Sequence, residues 1–323
     1  MREEPINRRT LIRNSLQAGT VVLAGALMPK QSFAAQQKPK FTMDLVGGAI
    51  GVNASPEELI KLAAKHGFGS VQPNYRHLEK LSDSQLEELH AQLKSDGLVW
   101  GAANMPVDFR GDQAKFDADL KSFPSTVATY KRAGVNRIST WLKPYHKTLT
   151  YNENFKLHVT RLREISKIAG DHGLRFGTEY VGTKTLWTKA KHSFIHTMQE
   201  TKELHAAVGT DNIGFVLDSW HWYTAGEGKD DLLTLKNKDI VACDLNDAPA
   251  GIDVDDQIDN RRELPAATGT IDVKTFLSAL VEIGYDGPIR AEPFNQPLND
   301  MDNDAACAAT SKAIAKAFAM VGA

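Results

Sequence analysis

A (β/α)8 barrel is the fold this sequence predicts, on three observations. From Lys40 onward short apolar runs alternate with amphipathic stretches, and several amphipathic stretches end in glycine. Eight such alternations fit into about 280 residues, close to the usual size of this barrel. The strand candidates are Thr42–Val46, Ser70–Pro73, Leu98–Ala103, Arg137–Leu142, Arg175–Val181, Ile213–Leu217, Ile240–Leu245 and Ile289–Glu292. Helical patterns lie between them at Pro56–His66, Asp83–Lys94, Phe116–Arg132, Phe155–His172 and Phe194–Val208. Gly67, Gly97, Gly134, Gly173, Gly209 and Gly284 follow helical patterns, where a left-handed cap turns the chain toward the next strand. A doubly wound open sheet is the structural rival, but no Gly-rich phosphate loop follows the first strand.

The N-terminus reads as an address. Asn7-Arg8-Arg9-Thr10-Leu11-Ile12-Arg13 pairs two arginines ahead of hydrophobic residues and a further base. A mildly apolar stretch from Leu16 to Met28 follows, then Ser32-Phe33-Ala34, whose small residues suit signal peptidase. The apolar stretch is too short to span a bilayer comfortably. The expected division is a twin-arginine leader over residues 1–34 and one barrel over residues 35–323. It implies passage through the Tat translocase and a periplasmic or secreted mature protein, with no stable membrane insertion. The rival readings are a mitochondrial-type presequence, against which Glu3 and Glu4 count, and a disordered basic tail.

Composition narrows the function. The chain carries a formal net charge of −2, and its leader a formal +3, so the remainder is near −5. That is no nucleic-acid footprint. Cys243 and Cys307 are the only cysteines, one in an apolar run and one in an Ala-rich helical pattern. Both read as small buried residues rather than a disulfide.

Chemistry concentrates at strand ends, where barrels of this kind place their sites. Glu179, Asp218, Asp244 and Glu292 end or nearly end four successive apolar strands. Four carboxylates converging in a partly dry site repel one another, and a shared cation removes that cost. The competing reading is that some are solvated, or pair with Arg290, Arg261 or Lys143.

The segments Thr178-Glu179-Tyr180, Asp218-Ser-Trp-His221, Cys243-Asp244-Leu-Asn-Asp247 and Ala291-Glu292-Pro293 resemble, in order, the motifs of the xylose-isomerase-like sugar isomerase and epimerase family. Arg261-Arg262-Glu263-Leu264-Pro265 is similar to that family's later Arg-containing loop. The resemblance covers most of the mature chain. It implies a barrel that holds one divalent metal through Glu179, Asp218, Asp244 and Glu292. Asp244 stands where the family has histidine, making the set all-oxygen. Oxygen ligands favour Mn²⁺ or Mg²⁺, with Co²⁺ or Zn²⁺ as the alternatives. A second arrangement leaves Asp244 behind the ligands. His221 contacts substrate, completes the coordination or packs between Trp220 and Trp222, in that order of preference.

The resemblance further implies isomerisation or epimerisation of a sugar or keto-sugar, free or glycosidic, through a metal-stabilised ene-diolate. Glu179 and Glu292 are then the acid–base pair. Lys143, Arg261, Arg262, Asn246, His221 and Trp220 are the candidate substrate contacts. Trp141, Trp187, Trp222 and Tyr223 offer further rings near strand ends, although each ring equally suits capping of the barrel core. A lyase or dehydratase using the same proton abstraction is the alternative reaction. A non-catalytic periplasmic sugar-binding protein is the alternative of another class. Nothing in the sequence sets the oligomeric state.

Overall fold

The computed structural model describes residues 38–323, so the expected leader lies outside the described residues. Eleven strands occur among them: β1 (Thr42–Leu45), β2 (Ser70–Val71), β3 (Val99–Trp100), β4 (Ala103–Asn104), β5 (Arg137–Trp141), β6 (Tyr145–His146), β7 (Arg175–Glu179), β8 (His192–Ser193), β9 (Ile213–Asp218), β10 (Ile240–Asp244) and β11 (Pro288–Arg290). Nine form one sheet in the order β3-β2-β1-β11-β10-β9-β7-β5-β4, with every pairing parallel. β6 and β8 make a separate antiparallel ribbon beyond the strand ends.

The two ends of the sheet belong to one run of chain, so the sheet closes into a barrel. The single predicted strand Leu98–Ala103 is therefore split. Its first half hands Gly101 N–H to Val71 O, and its second half hands Met105 N–H to Ser139 O. Gly101 sits at the break because a side chain there would collide with the carboxylate of Asp44, buried on β1. A glycine that admits a close neighbour is the usual reason for one inside a strand.

Helices cover the outside, and their starts follow capping chemistry. Thr150 and Glu153 form a reciprocal capping box, so the helix runs Tyr151–Asp171 and starts four residues before the expected Phe155. Thr197 and Glu200 do the same for Met198–Val208, which shortens the expected Phe194–Val208. Asp112 caps Gln113–Arg132 through Lys115 N–H. All six predicted glycine caps have positive φ, from 69° to 78°. Cys243 and Cys307 are free and buried. Among the described residues no helix is long and apolar enough to cross a membrane.

Parallel registers deliver the acidic residues to one level. Asp244 pairs with Asp218 on one side and Arg290 on the other, while Trp141 pairs with Glu179.

Candidate active site

Glu179, Asp218 and Asp244 are the last residues of β7, β9 and β10, and Glu292 lies two residues past β11. Each offers a carboxylate oxygen, and these oxygens all lie within 4.8 Å of one another. Glu179, Asp218 and His221 form a second, overlapping group of potential donors. Glu179, His221 and Glu292 also line a cavity of about 410 Å³ with Asp259, Arg262, Arg290, Trp141 and Phe294.

Two guanidinium groups enter this cluster. Arg262 is buried and donates from Nη1 to Asp218 Oδ2 at 2.7 Å and to Glu292 Oε2 at 3.4 Å. Its Nη2 donates to Asp259 Oδ1 at 2.9 Å. Arg290 donates through Nε to Asp244 Oδ1, through Nη2 to Asp244 Oδ2 at 2.8 Å, and reaches Glu292 Oε1 at 3.5 Å. Both oxygens of Asp244 are thus engaged by Arg290, as the alternative of pairing anticipated for that residue. With Asp259, five carboxylates face two guanidiniums, a formal excess of three negative charges.

Burial and the crowding of like charge displace titration in the cluster. Burial, then repulsion from Asp244, Glu292 and Asp218, raises Glu179 well above the ordinary carboxylate range. Burial pushes Asp218 up to about 7 against the pull of Arg262. Glu292 is also raised by burial, but Arg290 opposes the rise. Burial and Arg262 bring His221 down to about 3, so its imidazole is neutral at physiological pH. Burial alone would raise Asp259, yet His221 and Arg262 hold it below the usual range.

Glu179 Oε1 is buried without a hydrogen-bond partner among the described residues. Buried polar atoms are rarely left in that state. An orphaned oxygen, three further carboxylates within reach and an excess of negative charge fit a divalent cation.

The remaining predicted contacts divide. Asn246 is wholly buried beneath the cluster, where Nδ2 donates to Asp218 Oδ1 at 3.0 Å and Oδ1 accepts Glu292 N–H at 2.8 Å. It braces the Asp218 carboxylate and the Glu292 backbone and does not line the cavity. Trp220 is also wholly buried, with Nε1–H donated to Thr183 Oγ1 at 2.9 Å, so its ring packs in the core. Arg261 is exposed and Lys143 lies over the Tyr145 ring, both away from the cavity lining. Adjacent Arg261 and Arg262 therefore part company: the loop buries only the second. Gly182 N–H donates to His221 Nδ1 at 3.3 Å, while Arg262 Nη2 stands 3.2 Å from Nε2. A neutral imidazole accepts at only one nitrogen, so the two donors compete for the ring.

Sequence reasoning missed Asp259 and Phe294. Asp259 carries no motif of its own. Phe294 occupies the left-handed region at φ 44° and projects an exposed ring onto the cavity wall, with Arg262 over its face at 4.9 Å. The Pro293-Phe294 step after Glu292 was the available signal.

Similarity to known proteins agrees with this geometry. The chain is 26% identical over 250 residues to an inosose isomerase of Bacillus velezensis, covering 75% of this chain and 84% of that protein. It is 23% identical over 245 residues to a D-psicose 3-epimerase of Ruminiclostridium cellulolyticum, covering 73% and 77%. A 3-dehydroshikimate dehydratase of Pseudomonas aeruginosa matches at 28% over 135 residues, only 42% of this chain and 20% of that protein. Among solved structures, a xylose isomerase domain protein from Alicyclobacillus acidocaldarius superposes with a TM-score of 0.76 at 25% identity, over 88% of this chain and all of the other. The IOLI protein with a bound zinc atom superposes with a TM-score of 0.72 at 22% identity, over 86% and 98%. These relatives are isomerases, an epimerase and a dehydratase, with which an enzyme of the isomerase or epimerase type is consistent. The family described as xylose isomerase-like TIM barrel matches residues 60–316, and the chain belongs to that family.

Proposed function

We propose that this protein is a divalent-metal-dependent isomerase or epimerase of a sugar or keto-sugar, with Glu179 and Glu292 as its proton-transfer pair. The observation that carries the reading is Glu179 itself: a buried carboxylate on a cavity wall, with one oxygen unpartnered and Glu292 within 4.8 Å. Carbons beside a carbonyl hold their protons too tightly for an unaided carboxylate. A bound divalent cation supplies Lewis acidity toward the carbonyl and hydroxyl oxygens of such a sugar. Glu179, Asp218, Asp244 and Glu292 would hold it, with Mn²⁺ or Mg²⁺ preferred by an all-oxygen set. The zinc of the IOLI structure keeps Zn²⁺ as the competing ion, through Glu179, Asp218 and His221.

The chain's own residues supply the rest. Glu179 removes or returns the proton. Glu292, flanked by Arg262 and Arg290, completes the exchange from the neighbouring side of the cavity. Arg262 and His221 form part of the same wall, with the guanidinium held by Asp218, Asp259 and Glu292. Trp141 and Phe294 present apolar faces to the C–H side of a sugar ring. A second reading, elimination after the same proton abstraction, is favoured by the dehydratase among the relatives. Export in the folded state through Arg8-Arg9 belongs to the proposal, since it lets the ion be acquired in the cytoplasm.

The test is a panel of keto-sugars incubated with Mn²⁺-loaded protein in deuterated water. Deuterium at the carbon beside the carbonyl, with an isomer or epimer as product, supports the proposal. Loss of water or of an aglycone selects elimination instead. No exchange with any member of the panel would count against both.

A further inference from the structure

A second cavity, of about 490 Å³, adjoins the carboxylate cavity at the same end of the barrel. Asn104, at the end of β4, lines both. The second cavity is framed by the loops after β1, β2 and β4, and its polar wall is Gln72, Asn74, Arg76 and Asn104. Tyr75 and Tyr130 add aromatic surface, and none of its lining residues is Asp or Glu. Proton chemistry is therefore confined to the first cavity.

Its wall is fixed in advance. Gln72 Nε2 donates to Asn104 Oδ1 at 3.2 Å, which fixes that amide in the wall. Tyr130 OH donates to Asn104 O at 3.2 Å, and the Tyr75 and Tyr130 rings meet edge to face with centroids 6.0 Å apart. Amide groups, one guanidinium and two aromatic rings offer hydrogen-bond donors and apolar faces to a polyhydroxylated ring. Together the two cavities approach the upper end of the roughly 300–1,000 Å³ that ligand pockets span. A single sugar ring would leave half of that space unused.

We propose that the substrate is a glycoside spanning both cavities, with its keto-sugar ring against the carboxylates and a second sugar ring in the cavity walled by Gln72, Asn74, Arg76 and Tyr130. This inference rests on the keto-sugar reading of the first cavity. Asn104, shared by both walls, marks the level of the glycosidic linkage.

The experiment compares keto-glucose with keto-cellobiose, oxidised at C2 or C3 of the corresponding ring, on the Mn²⁺-loaded protein. Calorimetry reads affinity, and deuterium uptake reads turnover. Keto-cellobiose is expected to bind at least about tenfold more tightly than keto-glucose. Ala54→Trp, which fills the second cavity, should bring that ratio to within about twofold. Arg76→Ala, at an exposed position with little bearing on folding, should lower it about threefold. Equal affinities in the unaltered protein, or a ratio that survives both variants, overturn the proposal. If keto-glucose binds and exchanges but the second ring adds nothing, only the second cavity is misassigned. Binding of neither ligand removes the keto-sugar reading and this inference with it.

Discussion

Arg290 and Asp244 stand opposite each other on adjacent strands of the barrel, and the guanidinium of one engages both carboxylate oxygens of the other. This chain therefore has an ion pair at that corner of the site. Breaking a buried pair by removing one partner typically costs about 3–5 kcal/mol, because the other charge is left uncompensated. Arg290→Met is expected to lose that much in urea unfolding, and Asp244→Leu added to it should recover most of the loss. A single variant within about 0.5 kcal/mol of the parent would show that the pair has no such role.

Asp244→His tests the ligand assignment from the other side. An imidazole at this position should shift metal preference from Mn²⁺ toward Zn²⁺ or Co²⁺. Metal content after dialysis against an equimolar mixture is the measurement. An unchanged preference would place Asp244 outside the ligand set.

Metal binding should also appear in stability. An ion that binds only the folded protein adds about 2.7 kcal/mol at a hundredfold excess over its Kd. Mn²⁺ is expected to raise Tm in the chelator-treated protein, and Asp218→Asn should abolish that rise. A flat Tm across a Mn²⁺ titration of the parent would argue against a resident cation.

Asp44 predicts a pH dependence of defined sign. Burial pushes it from 3.8 up to about 6 inside the barrel, with Ser70 and Arg290 opposing. The folded state therefore holds a proton that the unfolded state releases between those values. Stability from this group is present at low pH and is lost as pH rises from about 4 to 6, then stays level. Asp44→Asn should match the parent near pH 4 and exceed it above pH 6 by up to about 3 kcal/mol, at 1.36 kcal/mol per unit. A stability difference that does not change with pH would contradict the assignment.

Phe294 carries backbone strain at φ 44° while exposing its ring on the cavity wall. Strained residues of this kind typically cost about 1–3 kcal/mol. Phe294→Gly is expected to offset about 1 kcal/mol of that in unfolding experiments and to raise KM for the sugar. A loss of stability, or an unchanged KM, would show that the ring serves packing instead.

The proposed twin-arginine leader over residues 1–34 makes a separate prediction. Replacing Arg8 and Arg9 with lysine should leave unprocessed precursor in the cytoplasm, assayed by fractionation. Normal export of the double variant would defeat the twin-arginine reading.

Much of this architecture was legible because its signals are local. Glycine caps and the strand–helix alternation depend on neighbouring residues, and all six caps appear. The acidic strand ends were legible because period and position coincide at Glu179, Asp218 and Asp244. Helix starts were less so, since Phe155 and Phe194 advertised apolar faces while Thr150 and Thr197 set the ends. The break in the third strand depends on Asp44 facing Gly101 across the barrel, a contact that no sequence pattern displays. Likewise, Arg290 reaches Asp244 only through the parallel register, and Arg262 reaches Asp218 over a separation of 44 residues. Trp220 looked like a sugar platform, yet its wholly buried position left the cavity to Trp141 and Phe294.

The central claim is that Glu179 and Glu292 move a proton at a sugar carbon. Solvent deuterium uptake at that carbon, measured in the parent, Glu179→Gln and Glu292→Gln with metal content checked in each, tests it most directly. Each variant should exchange at least about a hundredfold more slowly than the parent while keeping most of its metal, as expected for lost acid–base catalysis. Exchange at the parental rate in both variants would contradict the account.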